Sequence, residues 1–174
     1  MITRNINFFK PITSDIYKEF VDKLPLYNIS CSCGHCGCLI RHAYYTRKLK
    51  TILGTITLRI LRVKCKSCGK THAILPESIV PYSQVPVDIQ RSMITHKLGS
   101  DVLEDIMNNN YDISLSDVLH VRQKFHKFWC QRVLSAQISL SLEIKELCLT
   151  CYSLFHKQFM QIRRGSYIFF HPPT

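Results

Sequence analysis

No run in this sequence approaches the roughly 20 apolar residues that a membrane-spanning helix requires. Met1 to Lys10 carry charge and amides where a secretory leader has its apolar stretch. The expectation is therefore a cytoplasmic chain that makes no use of a membrane. Internal repeats and low-complexity tracts are also missing. So are a glycine-rich phosphate loop, a His-Glu-x-x-His pattern and a Ser/His/Asp setting. The most pointed absence is of acids: after Asp22 the next one is Glu77.

That acid-free stretch is full of bases: Arg41, Arg47, Lys48, Lys50, Arg59, Arg62, Lys64, Lys66 and Lys70. A solvated surface ordinarily mixes signs, so a segment of one sign is shaped for phosphate. Lysines also offset the charge of a thiolate metal site, but this run is longer than that purpose needs. Across 174 residues the formal charge is +11, which favours an anionic partner. A hydrophobic content of 46% supplies a packed interior and argues against wholesale disorder.

The order of patterns predicts an α+β chain: an N-terminal zinc ribbon with a β-hairpin, then a helical, helix-turn-helix-like module. Residues 1–30 read as an extended piece, Ile2 to Phe9, and a helix capped by Thr13 or Ser14 and ended by Pro25, packed on the ribbon. Residues 31–80 form the ribbon. Its hairpin runs from Leu39 to Thr51, turns near Gly54, and returns from Thr55 to Lys64 with period-2 alternation. The alternation slips at Ile60-Leu61. A bulge there restores one apolar face and brings Arg59, Arg62 and Lys64 together on the polar one. Prolines 76, 81 and 86 mark a connector. Residues 81–174 then read as helices over Val87–Leu98, Val102 to about Asn108, Ser114 to about Ser135, and roughly Ser139–Met160, followed by an aromatic tail.

Nine cysteines in a reducing compartment point to metal rather than disulfides. Cys33-Gly34-His35-Cys36-Gly37 and Cys65-Lys66-Ser67-Cys68-Gly69 are matched units. Two intervening residues let both thiolates of a pair face one ion, and the glycine after each pair permits the reversal that follows. The predicted ligands of one structural Zn²⁺ are Cys33, Cys36, Cys65 and Cys68. Four thiolates fill a tetrahedron and leave no position for a catalytic water. Whether Cys31, Cys38 or His72 touches the metal stays open at this point. Cys148 and Cys151 lie in an apolar helical pattern and read as buried hydrophobes.

Helix, short helix, Asn-rich turn and long helix make a helix-turn-helix arrangement. In it the long helix reads bases through His120, Arg122, Gln123 and Lys124. Arg47, Lys48, Arg59, Arg62, Lys64 and Lys66 supply phosphate contacts. The acids beyond the ribbon fall at caps or on helix surfaces. No set of carboxylates converges as two-metal strand transfer requires, and no enzyme is expected.

The run Arg41-His42-Ala43-Tyr44-Tyr45-Thr46-Arg47-Lys48, the first cysteine cluster, and Ile60 through Cys65-Lys66-Ser67-Cys68-Gly69 to Pro76 together resemble a family of mobile-element zinc-ribbon proteins, largely catalogued as a domain of unknown function. They are similar to the N-terminal DNA-binding region of insertion-sequence transposases, over about residues 31–86. The resemblance implies a role in transposition or integration, or repression of the element. Its partners would be double-stranded DNA and a recombinase or transposase. It departs where such transposases continue into a nuclease domain. Two other expectations stand beside it: an inhibitor module from a phage or plasmid that occupies another protein's nucleic-acid site, and an RNA binder.

Overall fold

The computed structural model describes residues 2–4, 12–109, 112–137 and 142–155. The fold is α+β. Four strands, β1 (Ile2–Arg4), β2 (Leu39–Thr51), β3 (Gly54–Cys65) and β4 (Thr71–Pro76), form one sheet in the order β1-β4-β3-β2. β1 runs parallel to β4, and the other neighbours are antiparallel. Helix α1 (Ser14–Asp22) and a 3-10 turn (Leu26–Asn28) precede β2. Helices α2 (Val87–Thr95), α3 (Asp101–Asn108), α4 (Leu115–Ser135) and α5 (Ile144–Leu154) follow β4. The predicted extension of the first strand to Phe9, the outer ends of the last helix and the aromatic tail lie outside the described residues. β4 went unread in the sequence because its six residues end on a proline and carry no alternation.

The hairpin corrects one expectation. β3 has no bulge at Ile60-Leu61. The register shift lies on β2, between Arg41 and Ala43, where His42 is the extra residue. Ile60 and Leu61 are both fully buried although they point to opposite faces. The apolar pattern slips there because burial changes sides along β3, not because the chain does. Arg59 pairs with Thr46, and Arg62 with Ala43, so these two arginines also point to opposite faces.

Helix α1 completes the sheet in an unusual way. β4 pairs with β3 only from Arg62 to Lys64. Beyond that the edge of β3 is covered by side chains of α1. The Ser14 hydroxyl donates to the Thr57 carbonyl at 2.8 Å. The Tyr17 hydroxyl accepts from the Leu61 amide at 2.9 Å and donates to the Ile74 carbonyl at 3.0 Å. An edge left open would be a template for another strand. Thr13 caps α1 by accepting from the Ile16 amide at 3.3 Å, as its position before the helix predicts.

The buried apolar side chains fall into two clusters, one within residues 17–79 and one from Val80 onward. The connector links them by a polar contact, the Lys50 amide of β2 donating to the Gln84 carbonyl at 2.9 Å. Gln90, fully buried on α2, donates to the Ser83 hydroxyl and the Val85 carbonyl, both at 2.8 Å. It also accepts from the Tyr152 hydroxyl of α5 at 2.8 Å. A buried amide with every site engaged fixes how the helices meet the connector.

Candidate metal centre and basic surface

Two tight loops bring cysteines together at the base of the hairpin. In the first, the Gly34 amide donates to the Cys31 carbonyl and the Cys31 amide to the His35 carbonyl, each at 2.9 Å. Gly34 has φ +88°. In the second, the Gly69 amide donates to the Cys65 carbonyl at 3.0 Å, and the Cys65 amide to the Lys70 carbonyl at 2.9 Å. Gly69 has φ +71°. Both reversals use the left-handed region that a side chain disfavours.

The thiol sulfurs of Cys31, Cys33, Cys65 and Cys68 all lie within 4.8 Å of one another. Cys31 Sγ is 3.6 Å from Cys68 Sγ, and Cys33 Sγ is 3.8 Å from Cys65 Sγ. Four sulfurs at about 2.3 Å from a central ion stand about 3.75 Å apart along each tetrahedral edge. The donor set therefore fits a closed tetrathiolate site. Among the described residues this is the one group able to hold a metal.

The quartet replaces Cys36 with Cys31. Cys36 is exposed, and its thiol points to the Tyr27 carbonyl at 3.4 Å. The loop that the Gly34 amide closes on the Cys31 carbonyl sets Cys31 against Cys68, whereas Cys36, which also precedes a left-handed glycine (Gly37, φ +69°), is turned outward to the Tyr27 carbonyl. The matching two-residue spacing of Cys33 and Cys36 favours Cys36 in the sequence, and no local signal there separates it from Cys31. Cys38 is buried beside the quartet, with its Sγ 3.2 Å from Cys65 Sγ. His72, on β4, has Nε2 3.2 Å from Cys31 Sγ.

Burial opposes ionisation of Cys65. Hydrogen bonds from the Cys68 amide and from Cys38 outweigh it and pull that thiol down to about 5. Cys148 and Cys151 are fully buried on α5, and burial pushes their thiols up to about 12 and about 11. They are inert core thiols.

The basic residues divide into anchors and exposed groups. Arg47 is an anchor: its guanidinium donates to the Val80 and Ser83 carbonyls, both at 2.5 Å. Desolvation lowers its pKa. Arg122 is another, donating to the Met93 carbonyl at 2.6 Å and to the His96 carbonyl at the end of α2. Both guanidinium groups are thus engaged by backbone carbonyls within the fold. Lys48, Arg59, Arg62, Lys64, Lys66, His120 and Gln123 are exposed, and Lys124 is half-buried. Arg59 lies over the Tyr44 ring at 5.2 Å, and Arg62 donates to the Thr71 hydroxyl at 2.9 Å. Strand register sets Lys48, Arg59 and Lys50 on one face of the hairpin, and Arg62 and Lys64 on the other.

A family described as a domain of unknown function (DUF6431) matches residues 31–117. The chain belongs to this family. The DUF6431 segment begins at Cys31, the first cysteine of the quartet. It ends at Asp117, which binds Lys50 of the hairpin at 2.7 Å. The family unit thus holds both cysteine loops, the hairpin and the contact that seats the hairpin on α4. No curated protein and no solved structure matches the chain. Among the described residues, no helix is long and apolar enough to cross a membrane.

Proposed function

We propose that this DUF6431 chain is a zinc-stabilised protein that binds duplex DNA, as an accessory or regulatory factor of a mobile element. The observation that carries the reading is the acid-free segment folded as a hairpin and seated against a helix. Lys48 and Arg59 project from the hairpin face that also holds Lys50, and Lys50 bonds Asp117 in the first turn of α4. His120, Gln123 and Lys124 follow on that helix. In this reading the strand residues hold phosphates and the helix residues meet base edges. The helix-turn-helix role of α3 and α4 is part of the proposal, supported by their order along the chain. Zinc is the ion that best suits four thiolates in a closed tetrahedron, and its contribution is to folding. No catalytic step is assigned to it.

A gel-shift competition among duplex DNA, single-stranded DNA and RNA tests this reading. Duplex DNA is expected to compete best, with affinity falling steeply as salt rises. Preference for single-stranded RNA would replace it with an RNA-binding role.

A second reading, an inhibitor that occupies another protein's nucleic-acid site, is favoured by the exposed apolar hairpin tip, Ile52 and Leu53. Copurification of one stoichiometric protein partner, free of nucleic acid, would move it to the front.

A further inference from the structure

His72 is a buried imidazole 3.2 Å from a sulfur of the quartet, and the four-thiolate reading gives it no role. It sits on β4, whose register pairs it with Val63 of β3. The ring is therefore held by the sheet, whereas Cys31 belongs to a loop before the hairpin. The 3.2 Å separation suits an N–H···S hydrogen bond. His72 also falls outside the set of donors that lie within 4.8 Å of one another. An ion centred among the four sulfurs has its shell complete without the imidazole.

A thiolate that accepts a hydrogen bond donates less charge to its metal and is fixed in direction. Partners of this kind routinely orient metal ligands. Cys31 has particular need of one. It stands a single residue from Cys33, so its loop gives less purchase than the two-residue spacing of Cys65 and Cys68. Cys31 and His72 also line an open cavity of about 450 Å³.

We propose that His72 is a positioning residue of the metal centre: it donates its Nε2 hydrogen to the Cys31 thiolate, tying the first cysteine loop to strand β4 without binding the ion itself. This inference rests on the metal reading of the quartet, and the experiment separates the two. The full chain is loaded with Co²⁺, and metal affinity is measured by chelator competition alongside the thiolate-to-cobalt charge-transfer bands.

Wild type is expected to give the intensity of four thiolates. His72→Ala should keep that intensity, bind metal about 10–100-fold more weakly, and show the charge-transfer band moved to lower energy. The shift follows because a thiolate relieved of its hydrogen bond gives up electron density more easily. His72→Gln offers an amide N–H near the position of Nε2 and should recover much of both losses. This variant also keeps the test informative if His72→Ala fails to fold. A three-thiolate, one-nitrogen spectrum in wild type would overturn the proposal by making His72 a ligand. So would equal affinity and an unmoved band in His72→Ala, or a His72→Gln protein as impaired as the alanine variant. Wild type that binds no metal would remove the quartet reading, and the positioning role with it.

Discussion

The Lys50 ammonium lies 2.7 Å from the Asp117 carboxylate, and this contact joins the hairpin to the first turn of α4. Both groups are mostly shielded from water, so the pair is less screened than a surface ion pair. The same carboxylate oxygen accepts from the Ser114 amide at 2.9 Å and from its hydroxyl at 2.8 Å, while Ser114 Oγ accepts from the Asp117 amide at 3.3 Å. That reciprocal pattern is a capping box. Asp117 therefore starts α4 and receives the hairpin with one side chain.

Asp117→Ala should destabilise the protein by about 2–3 kcal/mol, the loss of a charged hydrogen bond together with a helix cap. Urea unfolding at neutral pH measures it. Burial opposes ionisation of Asp117, but the bonds from Lys50 and Ser114 prevail and hold its pKa below the ordinary value. The stabilisation is then complete above the ordinary carboxylate pKa and disappears as pH falls through the lowered one. The stability gap between wild type and Asp117→Asn should close over that acid range. A gap constant with pH would mean that the charge is not what matters.

Purified protein should carry one zinc per chain. Cys31→Ser should lose the metal, as should Cys33→Ser, Cys65→Ser and Cys68→Ser, whereas Cys36→Ser and Cys148→Ser should keep it. Elemental analysis after gel filtration decides this. Since binding energy in such loops is folding energy, the metal-free variants should also unfold at lower denaturant. Full metal in Cys31→Ser with none in Cys36→Ser would restore the ligand set read from spacing.

Tyr17→Phe keeps the ring and removes one hydroxyl. It leaves the Leu61 amide and the Ile74 carbonyl buried without their partner. The expected cost is about 1–3 kcal/mol, read as a lower urea midpoint with an unchanged slope. Burial holds the Tyr17 hydroxyl at about 12, so this difference should stay flat from pH 6 to about 10. A neutral substitution would show that water reaches the gap between β3 and β4.

The hairpin's two faces should behave differently on DNA. Lys48→Ala and Arg59→Ala should each lower the salt slope by about one unit on any duplex. Arg62→Ala and Lys64→Ala, on the opposite face, should leave it unchanged. Gln123→Ala should cost roughly 1–3 kcal/mol on a preferred site and far less on random duplex. Arg122→Ala should lose stability first, because its guanidinium holds the end of α2. Fluorescence anisotropy over a salt series separates these cases. Equal loss from both faces would place the DNA across the hairpin's edge.

Much of this chain is legible from local chemistry. Thr13 before α1, the alternation from Thr55 to Ile60 and the turn at Gly54 each act within a few residues. The two cysteine loops announce a metal in the same way, because ligand spacing and the reversal after each pair are local. What depended on the tertiary structure is which groups meet across the fold. Cys31 enters the quartet because the folded loop sets its sulfur against Cys68 and His72, while Cys36 is turned out to the Tyr27 carbonyl. Arg47 and Arg122 look free in a charge count, yet they serve carbonyls 33 and 26 or more residues away. The slip at Ile60-Leu61 has two sequence-level solutions, a bulge or burial on both faces, and only the position of α1 and the connector decides between them. Sequence patterns record the period of a strand or helix, whereas burial and hydrogen-bond partners depend on what the rest of the chain packs against it.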